Sequence, residues 1–250
     1  MKIFIIGRGK LGTSLFSLLS RGNFDVQISA HTNIPPIITE EDLVWLTVPD
    51  DHIAAMSRKI IRCRILIHSS GSLGIDALYT NKSRCIVHPI MTFSGLKHEI
   101  PSPPIPATIQ CDNETDLALI QDICQCIGFQ VYHLPLTASR SMYHAAAVIS
   151  GNFSMLLYEM SIQLLMKCGL SETHAKQALL PLIQQGIHNL EKNSFASVIT
   201  GPSVRKDKET IEMQKALLHE IHPTWEKIYA LCSEEIQRQL YENSDKNRIV

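Results

Sequence analysis

No basic stretch dominates this 250-residue chain: 23 Lys and Arg stand against 24 Asp and Glu, for a formal net charge of −1. A chain that binds nucleic acid concentrates basic residues on one face, so this balance argues against such a partner. An apolar run of membrane-spanning length is also missing, and the N-terminus enters a strand pattern directly, where a leader would carry a basic and then an apolar segment. The chain is therefore read as cytoplasmic, with no membrane partner. Its seven cysteines form no paired Cys-x-x-Cys framework, and Cys124 and Cys126 fall on different faces of one predicted helix. Free buried thiols in a reducing compartment are the expected state. The histidines lack metal-ligand spacing. His219 and His222, with Pro223 following, are weak evidence for zinc, and no metal is expected. There are no internal repeats or low-complexity segments.

What the chain does have stands at its beginning. Lys2 to Ile6 reads as a buried strand that runs into Gly7-x-Gly9-x-x-Gly12 and then a helix with Leu11, Leu15, Leu18 and Leu19 on one face. A Gly-x-Gly-x-x-Gly alone is a weak signal; between a strand and a helix it is the dinucleotide fingerprint. Gly7 permits the tight turn, Gly9 lets the backbone approach a pyrophosphate, and Gly12 lets helix and strand pack closely. The unpaired N–H groups at Gly9, Lys10 and Leu11 form an anion site at the helix start. A glycine turn without a ligand is the plainer alternative.

A ribose-binding acid is expected about 20 residues further on, at the end of the second strand. That strand, Asp25 to Ser29, is followed by Ala30-His31-Thr32-Asn33 and has its only acid at the wrong end. Small hydroxyl and imidazole groups leave room for a 2′-phosphate, with Arg8 and His31 to supply positive charge. NADP(H) is favoured over NAD, although Arg8 also reads as a solvated loop residue.

Further strands are predicted at Leu43 to Val48, Arg64 to His68, Arg84 to Val87, Ala107 to Cys111 and Phe129 to Leu134. Helices are predicted at Asp51 to Ile60, with Asp50 or Asp51 as N-cap, and at Asn113 to Ile127. A proline-rich loop covers Pro101 to Pro106. Alternating strands and helices imply a doubly wound, mainly parallel sheet. From Ala138 onward only helical periods remain: Ser139 to Cys168, Glu172 to Glu191, Asp207 to Glu220 and Pro223 to Leu240. Ser194 to Ser203 reads as a loop, and a polar tail starts at Asn243. The chain thus divides into a nucleotide-binding α/β domain, residues 1–136, and a helical substrate and dimerisation domain, residues 137–250.

Several segments occur in an order that resembles a known family: Ile5-Ile-Gly-Arg-Gly-Lys-Leu-Gly12, Thr47-Val-Pro-Asp50, His68-Ser-Ser-Gly71, His88-Pro-Ile-Met-Thr-Phe93, Tyr143-His-Ala-Ala-Ala147 through Asn152-Phe153, and Thr200-Gly-Pro202 through Arg205. They are similar to the small Rossmann proteins whose helical domain is like that of 6-phosphogluconate dehydrogenase. That family includes an alternative ketopantoate reductase of pantothenate synthesis; pyrroline-5-carboxylate reductase is a more distant relative by architecture. The resemblance covers almost the whole chain and implies an oxidoreductase. Ordinary ketopantoate reductases place a proton-donating lysine at the start of the domain-linking helix. Here that region reads Ala138-Ser-Arg-Ser-Met-Tyr-His144, without lysine, so a reductase must find its acid elsewhere.

Ligands bind at the carboxyl ends of parallel strands, which puts Val48-Pro49 and Ser69-Ser70 at the rim. Val48 and Pro49 suit a nicotinamide ribose; Ser69 and Ser70 suit substrate, or else only strand-end turn chemistry. His144, Val148 and Asn152 share one helical face, which makes His144 the first choice of proton donor and Asn152 the group that orients the substrate oxygen. Ala145-Ala146-Ala147 beside them signals close helix packing, and with it a structural histidine. His88, ending a strand, is the rival donor and rim residue, or a strand-capping histidine. Arg205 has the fork that matches a carboxylate; its plainer role is a solvated helix-start charge. The chain is thus expected to be a homodimeric, NADP-preferring reductase of a small 2-keto acid, ketopantoate first. A cyclic-imine reductase and a nucleotide-binding regulator without turnover remain the alternatives.

Overall fold

The computed structural model describes residues 1–35, 37–80, 82–93 and 104–246. It forms two compact units, Met1–Met155 and Leu156–Val250. Strands β1 (Ile3–Ile6), β2 (Val26–Ser29), β3 (Leu43–Leu46), β4 (Ile65–His68), β5 (Ser83–Pro89), β6 (Ile105–Cys111) and β7 (Phe129–His133) build one sheet in the first unit. The order is β2-β1-β3-β4-β5-β6-β7. Every neighbouring pair is parallel except β5 and β6. β1, β3 and β4 are buried at every position, as strands covered on both faces must be.

Alternation along the strands sorts the core into two layers. Ile3, Ile5, Trp45, Ile65 and Ile67 pack with Leu15 and Leu18 of α1 (Lys10–Arg21) and Ile120 and Ile123 of α3 (Glu114–Cys126). Phe4, Ile6, Val44, Leu46 and Leu66 pack with Ile53 and Met56 of α2 (Asp50–Lys59). The α/β class and the mainly parallel sheet are as the sequence pattern predicts.

Six expectations need correction. Cys85 and Cys111 are cross-strand partners on β5 and β6 and form a disulfide. Cys63 and Cys124 are the buried free thiols, pushed up by burial to about 11 and about 12, so both stay protonated at neutral pH. The N-cap of α2 is Pro49 with no side-chain hydrogen bond, because the Asp50 carboxylate is engaged by Ser70 and Ser72 instead. Ser194 to Ser203 contains one short helix, α7 (Phe195–Val198), and the start of another, α8 (Pro202–Arg205). Residues 243–246 continue the last helix, α10 (Pro223–Lys246), whose start is as predicted. Of the expected proline-rich loop, residues 101–103 lie outside the described residues, and Ile105 and Pro106 belong to β6.

The sixth correction concerns the long helix that begins after Ser139. Ser139 caps α4 (Arg140–Val148) by accepting the Met142 N–H. The helix continues through a π turn, Ile149–Phe153, into α5 (Ser154–Lys167). By length and composition this run can cross a membrane, contrary to the sequence reading. Its first turns, however, are docked on strand ends through Arg140 and Tyr143. With α4 docked in this way, the first compact unit runs on to Met155. The second unit holds the rest of α5, then α6 (Glu172–Lys192), α7, α8, α9 (Lys208–Ile221) and α10. Ser171 and Asp207 cap α6 and α9 through their side chains.

At the amino ends of the strands, the buried Asp42 carboxylate accepts the Lys2 N–H at 2.8 Å, the Thr39 N–H at 2.9 Å and the Thr39 hydroxyl at 2.7 Å. Burial alone would raise its pKa; the Thr39 and Lys2 hydrogen bonds outweigh this and hold it below the ordinary value. A depressed folded pKa means the stabilisation is present above the unfolded value, about 3.9, and is lost as pH falls through the folded one. Asp42→Ala is expected to cost about 1–3 kcal/mol at pH 7. In urea unfolding followed against pH, the gap to the wild type should close below about pH 4.

Candidate active site

The turn from β1 into α1 is shaped by two contacts that admit no side chain. Gly7 has φ +127°, and a Cβ there would lie 2.5 Å from the Thr47 carbonyl oxygen. A Cβ on Gly12 would lie 2.0 Å from the Gly7 carbonyl oxygen. The Thr47 hydroxyl donates to that same oxygen at 3.0 Å, and the Gly7 N–H donates to Ser29 O at 2.9 Å. Gly9 is different: nothing lies within 4 Å of a Cβ placed on it. Gly9 is the N-cap of α1 and provides no side-chain cap, so the N–H groups opening α1 face a space that an anion fits.

Facing this turn is a cavity of about 330 Å³ lined by Gly9, Lys10, Leu11, Thr47, Val48, Pro49, Asp50, Ser69 and Ser70, among others. Arg8 and His31 are exposed, and the His31 ring lies 5.7 Å from that of His52 on α2. Asp25 pairs with Lys2 at the opposite end of β2, at 3.7 Å. At the other end, the Asp51 carboxylate on α2 is 2.7 Å from Nδ1 of His52, the ring beside His31.

The loop after β4 is held from several sides. His68 is fully buried; its Nδ1 accepts the Ser70 N–H at 3.1 Å and its Nε2 is 3.2 Å from Gly74 O. Burial pushes His68 down to about 4, so the ring is neutral and serves as acceptor and donor at once. Trp45 Nε1 donates to the Ser69 hydroxyl at 2.8 Å, and Ser70 donates to Asp50 at 2.8 Å. The Ser69 and Ser70 hydroxyls are thus engaged within the protein, and both residues line the glycine-turn cavity rather than the cleft on the other side of the loop.

That second cleft, of about 400 Å³, is lined by His88 to Thr92 at the end of β5 and by His144, Ala147, Val148 and Ser150 to Asn152. The structure brings together the three predicted polar residues His88, His144 and Asn152. The π turn places Gly151 beside Asn152 on the lining. The rings of His88 and His144 meet edge on at 6.2 Å over Gly71, whose Cβ, if present, would be 2.4 Å from His144 Nδ1 and 2.9 Å from His88 Nε2. His88 Nδ1 is 2.6 Å from the Tyr143 hydroxyl, which accepts from Thr108 at 2.9 Å. Burial first, then Arg140 and His144, push His88 down to about 4.

Arg140 is 7% exposed. Its Nη2 donates to Ser70 O at 2.7 Å and its guanidinium lies 4.5 Å over the Tyr143 ring. Nε and Nη1 of Arg140, and Nδ1 of His144, are buried without a hydrogen-bond partner. The sequence reading missed Arg140, Tyr143, Thr108 and Thr47 as site residues. Arg140 and Tyr143 stood in the very segment read for its missing lysine, whereas Thr108 sits on a strand and gave no signal. Arg205 ends α8 in the second unit and is exposed. Ala145 and Ala146 are exposed too, while Ala147 is half-buried on the cleft lining.

A family pattern described as a domain of unknown function, DUF2520, matches residues 105–236, more than half of the chain. The fold is similar to that of a Bacteroides fragilis protein provisionally described as an NADP oxidoreductase, with 22% identity and a TM-score of 0.78 over 95% of this chain and 98% of that one. It is similar to Plasmodium falciparum pyrroline carboxylate reductase with NADP bound, with 16% identity and a TM-score of 0.57 over 95% and 98%. An imine reductase variant from Myxococcus stipitatus, in complex with NAD+, has 11% identity and a TM-score of 0.60 over 95% and 94%. At these identities the likeness establishes the fold. No curated protein matches the sequence.

The crowding at Gly71 is directly testable. Gly71→Ala should displace both imidazoles, shifting the His88 and His144 ring resonances and costing about 1–3 kcal/mol. Unchanged ring resonances would show that the two rings do not rest on Gly71.

Proposed function

The chain belongs to the DUF2520 family, and we propose that it is an NADP-dependent reductase of a small 2-keto acid. The observation that carries this reading is the pairing, within one unit, of an open glycine cradle and an imidazole-lined cleft. Ser69 and Ser70 line the first, and Gly71, next in the chain, lies against the two imidazoles that line the second. The N–H groups opening α1 suit the pyrophosphate, Val48 and Pro49 the nicotinamide ribose, and His31 with Arg8, after a strand that itself ends without an acid, a 2′-phosphate. The dinucleotide, when bound, supplies the hydride.

The residues around the second cleft supply the rest. His88, His144 and Asn152 offer hydrogen-bond donors to a substrate oxygen. Arg140, a buried cation with no carboxylate partner among the described residues, favours an anionic substrate nearby. Donors aimed at an oxygen favour a ketone, since a cyclic imine can arrive already protonated and needs no dedicated acid. Likeness of fold to pyrroline carboxylate and imine reductases keeps cyclic-imine reduction as the second reading. Ketopantoate is the 2-keto acid to test first.

Oxidation of NADPH should be followed by loss of nicotinamide absorbance with ketopantoate, other short 2-keto acids and pyrroline-5-carboxylate in parallel, and with NADH as control. Turnover of a keto acid with NADPH above NADH is expected. Turnover of the imine alone moves the reading to imine reduction, and NADPH binding without turnover moves it to a regulator. We also propose that two copies pair through α5 and α6, whose Leu156, Leu157, Leu182 and Ile187 are 49%, 40%, 71% and 58% exposed in the single chain. Light scattering is expected to give twice the chain mass of 28.0 kDa; a single-chain mass would exclude the pairing.

A further inference from the structure

Resting on the reductase reading, we propose that His88 rather than His144 gives up the proton, and that Tyr143 and Thr108 hold His88 in the donating tautomer and resupply it. The direction of the hydrogen bonds carries the assignment. The Thr108 hydroxyl on β6 donates to the Tyr143 oxygen at 2.9 Å. A phenol has one hydrogen, so the Tyr143 hydrogen points to its other neighbour, His88 Nδ1, at 2.6 Å. A neutral imidazole that accepts at Nδ1 carries its own hydrogen on Nε2. The Nε2 edge is the one that meets Gly71, and His88 lines the cleft. His144, by contrast, has its Nδ1 buried and without a partner.

Every charged or titratable neighbour of His88 bears on this state. Burial has the largest effect and disfavours the imidazolium; Arg140, His144 and His68 work in the same direction, and only Asp50 opposes them. His88 is therefore neutral at neutral pH. A bound reduced dinucleotide would supply the hydride that forms the C–H bond at the carbonyl carbon, the C=O π pair going to oxygen. That oxygen takes the Nε2 hydrogen of His88, while Nδ1 takes the Tyr143 hydrogen. Tyr143 is left as a phenolate, which water reprotonates after product leaves.

Burial holds the Tyr143 pKa above the ordinary phenol value, and the Thr108 hydrogen bond and the Arg140 charge offset this only in part, so the phenolate is short-lived and takes a proton back readily. The guanidinium sits 4.5 Å over the ring with Nε and Nη1 unpartnered. A buried cation without an anion is costly, and an anion forming on the adjacent ring relieves it.

The test uses two variants that remove only a hydroxyl, Tyr143→Phe and Thr108→Val, with two readouts. In 15N NMR of the ligand-free protein, His88 should be protonated on Nε2 with Nδ1 a bare acceptor, and Tyr143→Phe should shift Nδ1 alone among its ring nitrogens. With a keto acid that the wild type turns over, Tyr143→Phe should lower kcat about 100-fold or more and Thr108→Val about 10-fold, with KM within threefold and NADPH binding unchanged. A proton on Nδ1 in the wild type, or a Tyr143→Phe enzyme that keeps its kcat, overturns the relay while leaving the reductase reading intact. Absence of turnover with any carbonyl substrate, despite the expected tautomer, overturns the reductase reading and the relay with it.

Discussion

The buried imidazole of His68 is the constraint on which both clefts depend. Because the ring sits at the end of an apolar strand with no exposure, it cannot hold a charge cheaply, and only the neutral ring can accept from Ser70 and donate to Gly74 at the same time. That closes the loop after β4 into a fixed shape. The fixed loop then sends Ser69 to Trp45, Ser70 to Asp50 and the Ser70 carbonyl to Arg140. One face of the loop becomes a wall of the glycine-turn cavity; the other, at Gly71, becomes the floor on which His88 and His144 rest.

A second constraint sits one strand away. Gly7, Gly12 and Thr47 lock the turn by close approach and a single hydroxyl, whereas Gly9 leaves open space. Three glycines in one motif therefore serve two opposite ends: two bring backbone and helix into contact, and one keeps room for a ligand. The open N–H groups at the start of α1 face outward because the backbone around them is held elsewhere.

How far the site could be read in advance depended on the range over which each residue acts. The glycine turn, the missing acid after β2 and the bare strand runs act locally, and their meaning survives in a linear string. His88, His144 and Asn152 could be nominated from strand-end and helix-face positions, and they do share a cleft. Ser69 and Ser70 could be nominated as strand-end residues, but the partners that engage their hydroxyls lie 24 and 20 residues away and could not. Tyr143 and Thr108 escaped notice for the same reason: they are 35 residues apart and meet because the β5–β6 pairing sets Thr108 opposite His88 and the docking of α4 brings the Tyr143 hydroxyl to both.

Apolar four-residue runs, glycine spacing and helical period by themselves determined the α/β class, the helical second half and the phosphate-type turn, because each depends on local stereochemistry or on a repeating burial pattern. Pairing across distance was left to the tertiary structure. It decided that Cys85 and Cys111 bond, that Asp50 tethers serines instead of capping its helix, and that α4 belongs with the sheet rather than with the helices after it. It also decided that a tyrosine and a threonine set the hydrogen on His88. Such contacts bring together donors and acceptors from strands and helices far apart in the chain, and no local propensity encodes which of them will meet.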